Sequence, residues 1–171
     1  MKNLPVSQVV QIAAGLLREA YEGVPAGTPT WFIDNGPESG ILALLRGVSA
    51  EEAYHAAHGS GDPGTTIASH AGHLHWSLAL VNRTLRGEPY QANWSESWNP
   101  LETSPQAWDS LRAGLAKEYE DLRDSLTVLF QSEDSPVDLD EDSITGTLAM
   151  APHAAYHLAT MQQILERVRA G

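Results

Sequence analysis

Apolar residues recur at intervals of three and four positions in four long segments of the 171-residue chain. One such series is Ile67, Ala71, Leu74, Leu78, Val81 and Leu85. This spacing puts the apolar side chains on one face of an α-helix. Capping residues, prolines and glycines mark where each segment begins and ends. The pattern predicts four long amphipathic helices. Three of them span residues 5–22, 105–131 and 144–169, and the remaining one, second along the chain, begins after a cap at Thr65 or Thr66 and ends at residue 86.

Helices that each carry a single apolar stripe bury those stripes most simply against one another. No segment has the alternating pattern of a strand over more than a few residues. We therefore predict an all-α fold, a four-helix bundle, formed by a single domain over residues 1–171.

The connection between the first two long helices is long and partly helical. Residues 38–46 predict a short helix that ends at Gly47. The segment Ser49-Ala-Glu-Glu52 is a capping-box pattern that opens a second short helix, which continues to about His55. Such a connection can cross over the bundle or cover one of its faces.

The first part of this connection, residues 23–37, is rich in glycine and proline and is predicted to be a loop. It contains Trp31, Phe32 and Ile33, whose side chains we expect to anchor the loop over the core. Asp34, or Glu38 just after the loop, could provide a fourth metal ligand or a base.

The amino-acid composition excludes several classes of binding partner and of chemical site. Ten Lys and Arg against 22 Asp and Glu give a formal charge of −12, which repels nucleic acid and anionic membranes. No apolar run approaches the roughly 20 residues of a membrane span. The chain has no cysteine, which excludes disulfides, thiolate zinc sites and a cysteine nucleophile. We see no secretory signal, and the absence of cysteine fits a reducing cytoplasm, so we expect a cytoplasmic protein.

The strongest chemical motif is His153-Ala-Ala-Tyr-His157 in the last predicted helix. Residues four apart lie on the same helical face, close enough for two imidazoles to bind one divalent ion. His157 lies within the apolar stripe and His153 about 40° beside it, so both rings should point into the bundle. Two hydrogen-bonded core histidines, or partners of buried carboxylates, are the alternative interpretation.

A second histidine cluster, His70, His73 and His75, lies in the second predicted helix. One ligand from this helix would complete a three-histidine site with open positions for water or substrate. His70 lies about 60° from the centre of the apolar stripe and His73 about 120° from it, so helical geometry favours His70. His75 is expected to be a solvated or partly packed side chain.

Two further features have two interpretations each. Pro152, directly before His153, either marks the start of the last helix near Ala151 or kinks a longer helix beside the site. The segment Trp94-Ser-Glu-Ser-Trp98 either packs on the core or lines the mouth of a pocket. The remaining candidates for lining a pocket are Trp31, Asp34, Trp76 and Tyr156.

Two segments and their order along the chain resemble the DinB-like superfamily of four-helix-bundle metalloproteins. Residues 65–80, TTIASHAGHLHWSLAL, are similar to its helix-2 pattern, and residues 153–165, HAAYHLATMQQIL, to its closing-helix motif. The resemblance implies an up-down-down-up bundle, often dimeric, with a divalent ion held by His73, His153 and His157. His70 would then be a partner of a ligand or a substitute ligand. Nickel or zinc is expected, although imidazole also suits iron and manganese.

Three hypotheses for function follow. The first is a hydrolase that acts on a small molecule with water activated by the metal. The second is an S-transferase for a low-molecular-weight thiol of the bacillithiol or mycothiol type, which would need Arg46, Arg83 or Arg86 near the ion. The third is a helical protein that binds a partner or an apolar ligand without catalysis. In the hydrolase hypothesis a neighbouring carboxylate or a histidine such as His70 would shuttle the proton. The sequence assigns no catalytic residue.

Overall fold

The computed structural model describes residues 6–33, 39–57, 63–88, 92–99, 101–131 and 141–171. These residues form six α-helices and no β-strand, which confirms the predicted all-α fold. The helices are α1 (Val6–Glu22), α2 (Ile41–Arg46), α3 (Ala50–Tyr54), α4 (Ile67–Leu85), α5 (Pro105–Gln131) and α6 (Glu141–Ala170). Two 3₁₀ helices, Pro63–Thr65 and Trp94–Trp98, precede α4 and α5. None of the helices described is both long and apolar enough to cross a membrane.

The four long helices form the predicted bundle. Helix α4 packs against α5 and α6, and α1 packs against the same two helices, so α1 and α4 lie on one diagonal. His70 contacts His157 while His73 contacts His153, which makes α4 and α6 antiparallel.

The other contacts complete the topology. Helices α4 and α5 are parallel. His75 of α4 lies against Gly114 of α5, and further along both helices Asn82 bonds to Glu118. Helices α1 and α5 are antiparallel: Tyr21 stacks on Tyr119, whereas residues 11–15 line a cavity with residues 123–127. The order is therefore up-down-down-up, as expected from the family resemblance.

The core of the bundle is formed by large side chains from all four long helices. Tyr21, Leu74, Leu78, Trp108, Leu115, Tyr119, Leu122, Leu158 and Met161 are all at most 1 % exposed. The indole Nε1–H of Trp108 donates to the carbonyl of Val48 at 2.9 Å, which ties the connection between α1 and α4 to α5. Burial of this apolar area is the main stabilising term of the bundle.

The structure extends the last helix beyond the prediction. Helix α6 begins at Glu141 and contains Pro152 in its interior, so a helix start near Ala151 is wrong. Proline removes the N–H that would bond to the carbonyl of Leu148. Leu148 itself is 42 % exposed, so this part of α6 borders solvent. A kink at Pro152 stays a prediction.

The partly helical connection is confirmed, and it contains both predicted short helices. The capping box of α3 is present: Glu52 N donates to Ser49 Oγ at 3.2 Å, and Ser49 N donates to Glu52 Oε2 at 2.8 Å. Thr66, rather than Thr65, caps α4 by accepting a hydrogen bond from Ser69 N at 3.0 Å.

The loop at residues 23–33 is anchored differently from our expectation. The side chains of Trp31 and Phe32 are 79 % and 37 % exposed and do not cover the core; Ile33 alone packs against it. Instead, the buried carboxylate of Glu19 accepts hydrogen bonds from the backbone N–H groups of Trp31 and Phe32, at 2.6 and 2.7 Å. Hydrogen bonds from two backbone N–H groups to one side-chain carboxylate thus replace apolar anchoring.

Gly40, at the start of α2, allows close approach to the end of α1. A Cβ atom at this position would lie 2.5 Å from the carbonyl oxygen of Tyr21 and 2.6 Å from the backbone nitrogen of Gly23. Both neighbours are backbone atoms, which cannot move aside without displacing the helix end. Only glycine fits here.

Substitution of Gly40 by Ala should therefore destabilise the protein by about 1–3 kcal/mol, the typical cost of overpacking. Gly15→Ala in α1 is the matched control, because nothing lies within 4 Å of a Cβ there. That control should stabilise the protein by about 0.5–1 kcal/mol through helix propensity. Urea unfolding measures both changes, and equal effects of the two substitutions would contradict the packing account.

Candidate metal centre

Helix α4 brings His70 and His73 into the interior of the protein. The two side chains are 3 % and 7 % exposed. The helical wheel placed His73 far from the apolar stripe because it considered only one buried face. In the structure α4 is covered by α5, by α6 and by the 3₁₀ helix Trp94–Trp98, so its buried face is wider than the stripe. Both histidines therefore lie inside.

Helix α6 provides the other two rings one turn apart. His157 is 2 % exposed, and His153 is partly buried. The Nε2 atom of His153 lies 3.0 Å from Nε2 of His73 and 3.0 Å from Nε2 of His157. The structure thus brings one nitrogen from each of these three residues within 4.8 Å of the others.

This nitrogen cluster has the dimensions of a metal site. Zinc binds histidine nitrogen at about 2.0–2.1 Å, so two nitrogens in a tetrahedral site lie roughly 3.3 Å apart. The two separations of 3.0 Å are within a few tenths of an ångström of that value. The donor set is chemically suitable as well, since neutral imidazole binds zinc, nickel and iron. His73, His153 and His157 could therefore hold one divalent ion.

The far side of the His73 ring is held by the segment that precedes α5. The His73 Nδ1–H donates to Ser97 Oγ at 2.8 Å, and the Ser97 hydroxyl donates in turn to the carbonyl of Trp94 at 2.7 Å. Because the hydroxyl hydrogen is used by that carbonyl, Ser97 is the acceptor for His73. The hydrogen of a neutral His73 ring is thus on Nδ1, and its Nε2 presents a lone pair to the cluster.

His70 lies behind His157 and not among the three clustered nitrogens. Its Nδ1 is 2.7 Å from Nδ1 of His157, and its Nε2 is 3.0 Å from the carbonyl oxygen of Gly64. Both ring nitrogens of His70 are engaged in this way. His70 therefore contacts the cluster only through the outer nitrogen of His157.

Indole rings enclose one side of the cluster. Trp98 stacks on His73 with centroids 4.3 Å apart and planes inclined by 16°, and its edge contact with His70 has a centroid distance of 5.5 Å. Trp94 lies 5.0 Å from Trp76 and is 56 % exposed. Within this 3₁₀ helix, Trp98 packs on the His73 ring, whereas a place for Trp94 at the mouth of a pocket stays a prediction.

A comparison with known protein families agrees with this geometry. A family model described as the DinB superfamily matches residues 38–161, which is most of the chain and includes both histidine clusters. The chain belongs to the DinB superfamily. No curated protein and no solved structure matches the chain with significance. Family membership and the three-histidine cluster thus support each other, while the metal itself is not identified by either.

The burial of the site keeps its histidines neutral at ordinary pH. Burial and, to a lesser extent, the neighbouring imidazoles lower the pKa of His73 to about 4 and that of His157 to about 3. Burial also lowers the pKa of His70 and of His153. Only the neutral form of imidazole binds a metal, so near pH 7 these histidines are in the protonation state that metal binding requires.

The remaining aromatic and acidic candidates are distributed as follows. Tyr156 is 65 % exposed, with its ring centroid 5.1 Å from that of His157, and Trp76 contacts Trp94. Trp31 lies beside α1, with its side chain largely in solvent. Asp34 lies outside the described residues. His75 is partly packed, against Gly114 of α5.

The arginines considered for an anionic thiol lie elsewhere. Arg83 and Arg86 form ion pairs with Glu88 at the far end of α4. At 1.5 Å per residue they are about 15 and 20 Å from His73 along the helix axis. Arg46 is exposed at the end of α2. The structure does not bring these three guanidinium groups to the histidine cluster.

Sequence reasoning did not identify Ser97 or the particular role of Trp98. Both lie in a short 3₁₀ helix with no apolar periodicity to read, and their contacts with His73 join residues more than 20 positions apart. The only signal in the sequence was the two tryptophans of this segment, which indicated that it packs on the protein but not on which residues.

Acidification should destabilise the metal-free protein between pH 7 and pH 5. The unfolded chain protonates its histidines near pH 6.5, whereas the folded state protonates His73 and His157 only near pH 4 and pH 3. The unfolded state therefore binds more protons in this range, so stability is complete above about pH 6.5 and falls as the pH decreases. Urea unfolding in the presence of a chelator measures the dependence. It should be shallower in His73→Gln/His157→Gln, and equal stability at pH 7 and pH 5 in the original protein would contradict the burial account.

Proposed function

We propose that the protein is a divalent-metal-dependent hydrolase of a small-molecule substrate, with His73, His153 and His157 as the metal ligands. The observation that carries the proposal is the convergence of three imidazole Nε2 atoms in the bundle interior. Three histidine ligands leave coordination positions open, which is typical of catalytic rather than structural sites. Among the described residues, the cluster contains histidines only, so the ligands would not neutralise the charge of the ion.

An ion bound there would supply Lewis acidity, which lowers the pKa of a bound water toward 7 and makes it a nucleophile. The chain supplies the remaining functions. His73 and His157 are fixed by hydrogen bonds on their outer nitrogens, and Trp98 covers the His73 ring and excludes water from that side. His153 is the most exposed of the three ligands, so substrate would approach past its side of the cluster.

Thiol transfer has less support than hydrolysis. An anionic thiol cofactor needs cationic side chains beside the metal, and the three arginines considered for that role lie away from the histidines. A helical protein that binds without catalysis would not need three imidazole nitrogens directed at one point. Nickel or zinc remains the expected ion, with iron or manganese as alternatives, and a homodimer remains a prediction from the family resemblance.

Metal content of tag-free protein tests the ligand set. We expect about one ion per chain in the original protein and a loss of at least tenfold in affinity for His153→Ala, which removes the most exposed ligand at the least cost to folding. His75→Ala is the matched control, because His75 faces α5 and should leave the metal content unchanged. Equal metal content in the original protein and in His153→Ala would end the proposal.

A chelator separates a metal centre from a metal-free bundle. An ion that binds only the folded state stabilises it, so removal of the ion should lower the melting temperature, and addition of the ion should restore it. The His153→Ala variant should show no such response. If the original protein also melts at the same temperature with and without chelator, the non-catalytic interpretation is favoured.

Activity assays distinguish hydrolysis from thiol transfer. Metal-loaded protein should hydrolyse members of a panel of uncharged esters and amides, and chelator or His153→Ala should abolish the reaction. Transfer of a low-molecular-weight thiol to an electrophile, without hydrolysis of any panel member, would favour the transferase instead.

A further inference from the structure

His70 is a fourth buried histidine that the metal ligand set leaves without a function. It is 3 % exposed, and both of its ring nitrogens lie within hydrogen-bond distance of a partner. One partner is the carbonyl oxygen of Gly64, at 3.0 Å from Nε2. The other is Nδ1 of His157, at 2.7 Å from Nδ1 of His70.

The carbonyl of Gly64 determines which nitrogen of His70 carries the hydrogen. A carbonyl oxygen can only accept, so the hydrogen of a neutral His70 ring is on Nε2. A second hydrogen on Nδ1 would make His70 a cation, and neither an imidazole nor a carbonyl could neutralise that buried charge. Nδ1 of His70 therefore presents a lone pair to His157.

The same reasoning extends to His157. Its Nδ1 faces a lone pair at 2.7 Å and must provide the hydrogen of that bond. A neutral His157 then has no hydrogen on Nε2, and Nε2 is the atom that lies 3.0 Å from His153 in the cluster. The chain of bonds from Gly64 through His70 thus leaves the lone pair of His157 facing the metal position.

We propose that His70 is a positioning residue that fixes the tautomer and the ring orientation of His157, and that the connection preceding α4 thereby forms part of the metal centre. The inference rests on the proposed function, because it assigns to a metal ion a lone pair that lies 3.0 Å from the His153 ring. Gly64 belongs to the 3₁₀ helix Pro63–Thr65, whose last residue accepts a hydrogen bond from Ala57 N at 3.1 Å. The carbonyl of Gly64 is therefore held in place by a hydrogen bond within the connection that precedes α4.

The tautomer of His157 is measurable without any metal. In ¹⁵N-labelled, metal-free protein, long-range nitrogen–carbon correlation spectra report which ring nitrogen carries the hydrogen. We expect His157 to be protonated on Nδ1, whereas free imidazole side chains favour Nε2. Protonation of His157 on Nε2 in the original protein would overturn the inference.

Three substitutions at His70 distinguish the hydrogen bond that it accepts from His157 from the one that it donates to Gly64. The amide of His70→Asn occupies the position of Nδ1 and keeps an acceptor for His157, whereas His70→Gln reaches toward Gly64 and loses that acceptor. His70→Leu retains an apolar volume and has neither group. We expect zinc affinity close to that of the original protein for the Asn variant, and a decrease of about 10–100-fold for the Gln and Leu variants.

A merely structural role would give a different order. In that case the three variants would lose affinity in proportion to their loss of stability, with no rescue by Asn, and the tautomer of His157 would be the same in His70→Leu as in the original protein. Either result contradicts the inference. His75→Leu, which changes a partly packed histidine on the same helix, controls for general destabilisation of α4.

The experiment also separates this inference from the proposed function. If the original protein binds none of zinc, nickel, iron and manganese, the hydrolase proposal fails, but the tautomer spectrum still decides whether His70 determines the hydrogen position of His157. If the original protein binds zinc and His70→Leu binds it equally well while folded, the metal centre stands and the role of His70 is wrong.

Discussion

Four imidazole rings share one buried space between α4 and α6, and the hydrogen on each neutral ring must go to an acceptor. Burial disfavours the protonated, positively charged form of these rings, so they stay neutral and each has one hydrogen to donate. Acceptors outside the cluster take the hydrogens of His73 and His157, through Ser97 and through His70. The lone pairs of both rings are consequently left facing inward, toward His153. This hydrogen-bond requirement, more than the apolar packing around it, gives the cluster its capacity for a metal ion.

The connecting segments complete what the bundle alone cannot. The long helices direct histidines inward, but the final acceptors of the two hydrogen-bond chains are backbone carbonyls of Gly64 and Trp94, outside the long helices. Both carbonyls belong to 3₁₀ helices, in which a short rigid turn can present a backbone group at a fixed position. Trp98, from one of the same segments, covers the His73 ring. The site is therefore built by the connections as much as by the helices that carry the ligands.

Much of the fold could be predicted from the sequence because its physics is local. Apolar periodicity gives the long helices, and the i, i+4 spacing of His153 and His157 places both rings on one face. The choice between His70 and His73 could not be made in this way, since both are buried and what separates them is which atom each ring meets across the bundle. The last helix was predicted at residues 144–169, and α6 begins at Glu141. Periodicity could not decide between a start near Ala151 and a longer helix, because proline occurs in the first turn of a helix as well as at kinks. The loop is anchored at the backbone N–H of Trp31 by the carboxylate of Glu19, twelve residues away, and apolar periodicity does not indicate such a contact.

The proposed metal centre requires His73, His153 and His157 to bind one ion through nitrogen. X-ray absorption spectroscopy of protein loaded with a single equivalent of zinc measures the number and type of ligands directly. We expect three imidazole nitrogens at about 2.0–2.1 Å with the remaining coordination from oxygen. A spectrum with fewer than three imidazoles, or one dominated by carboxylate oxygen, would contradict it.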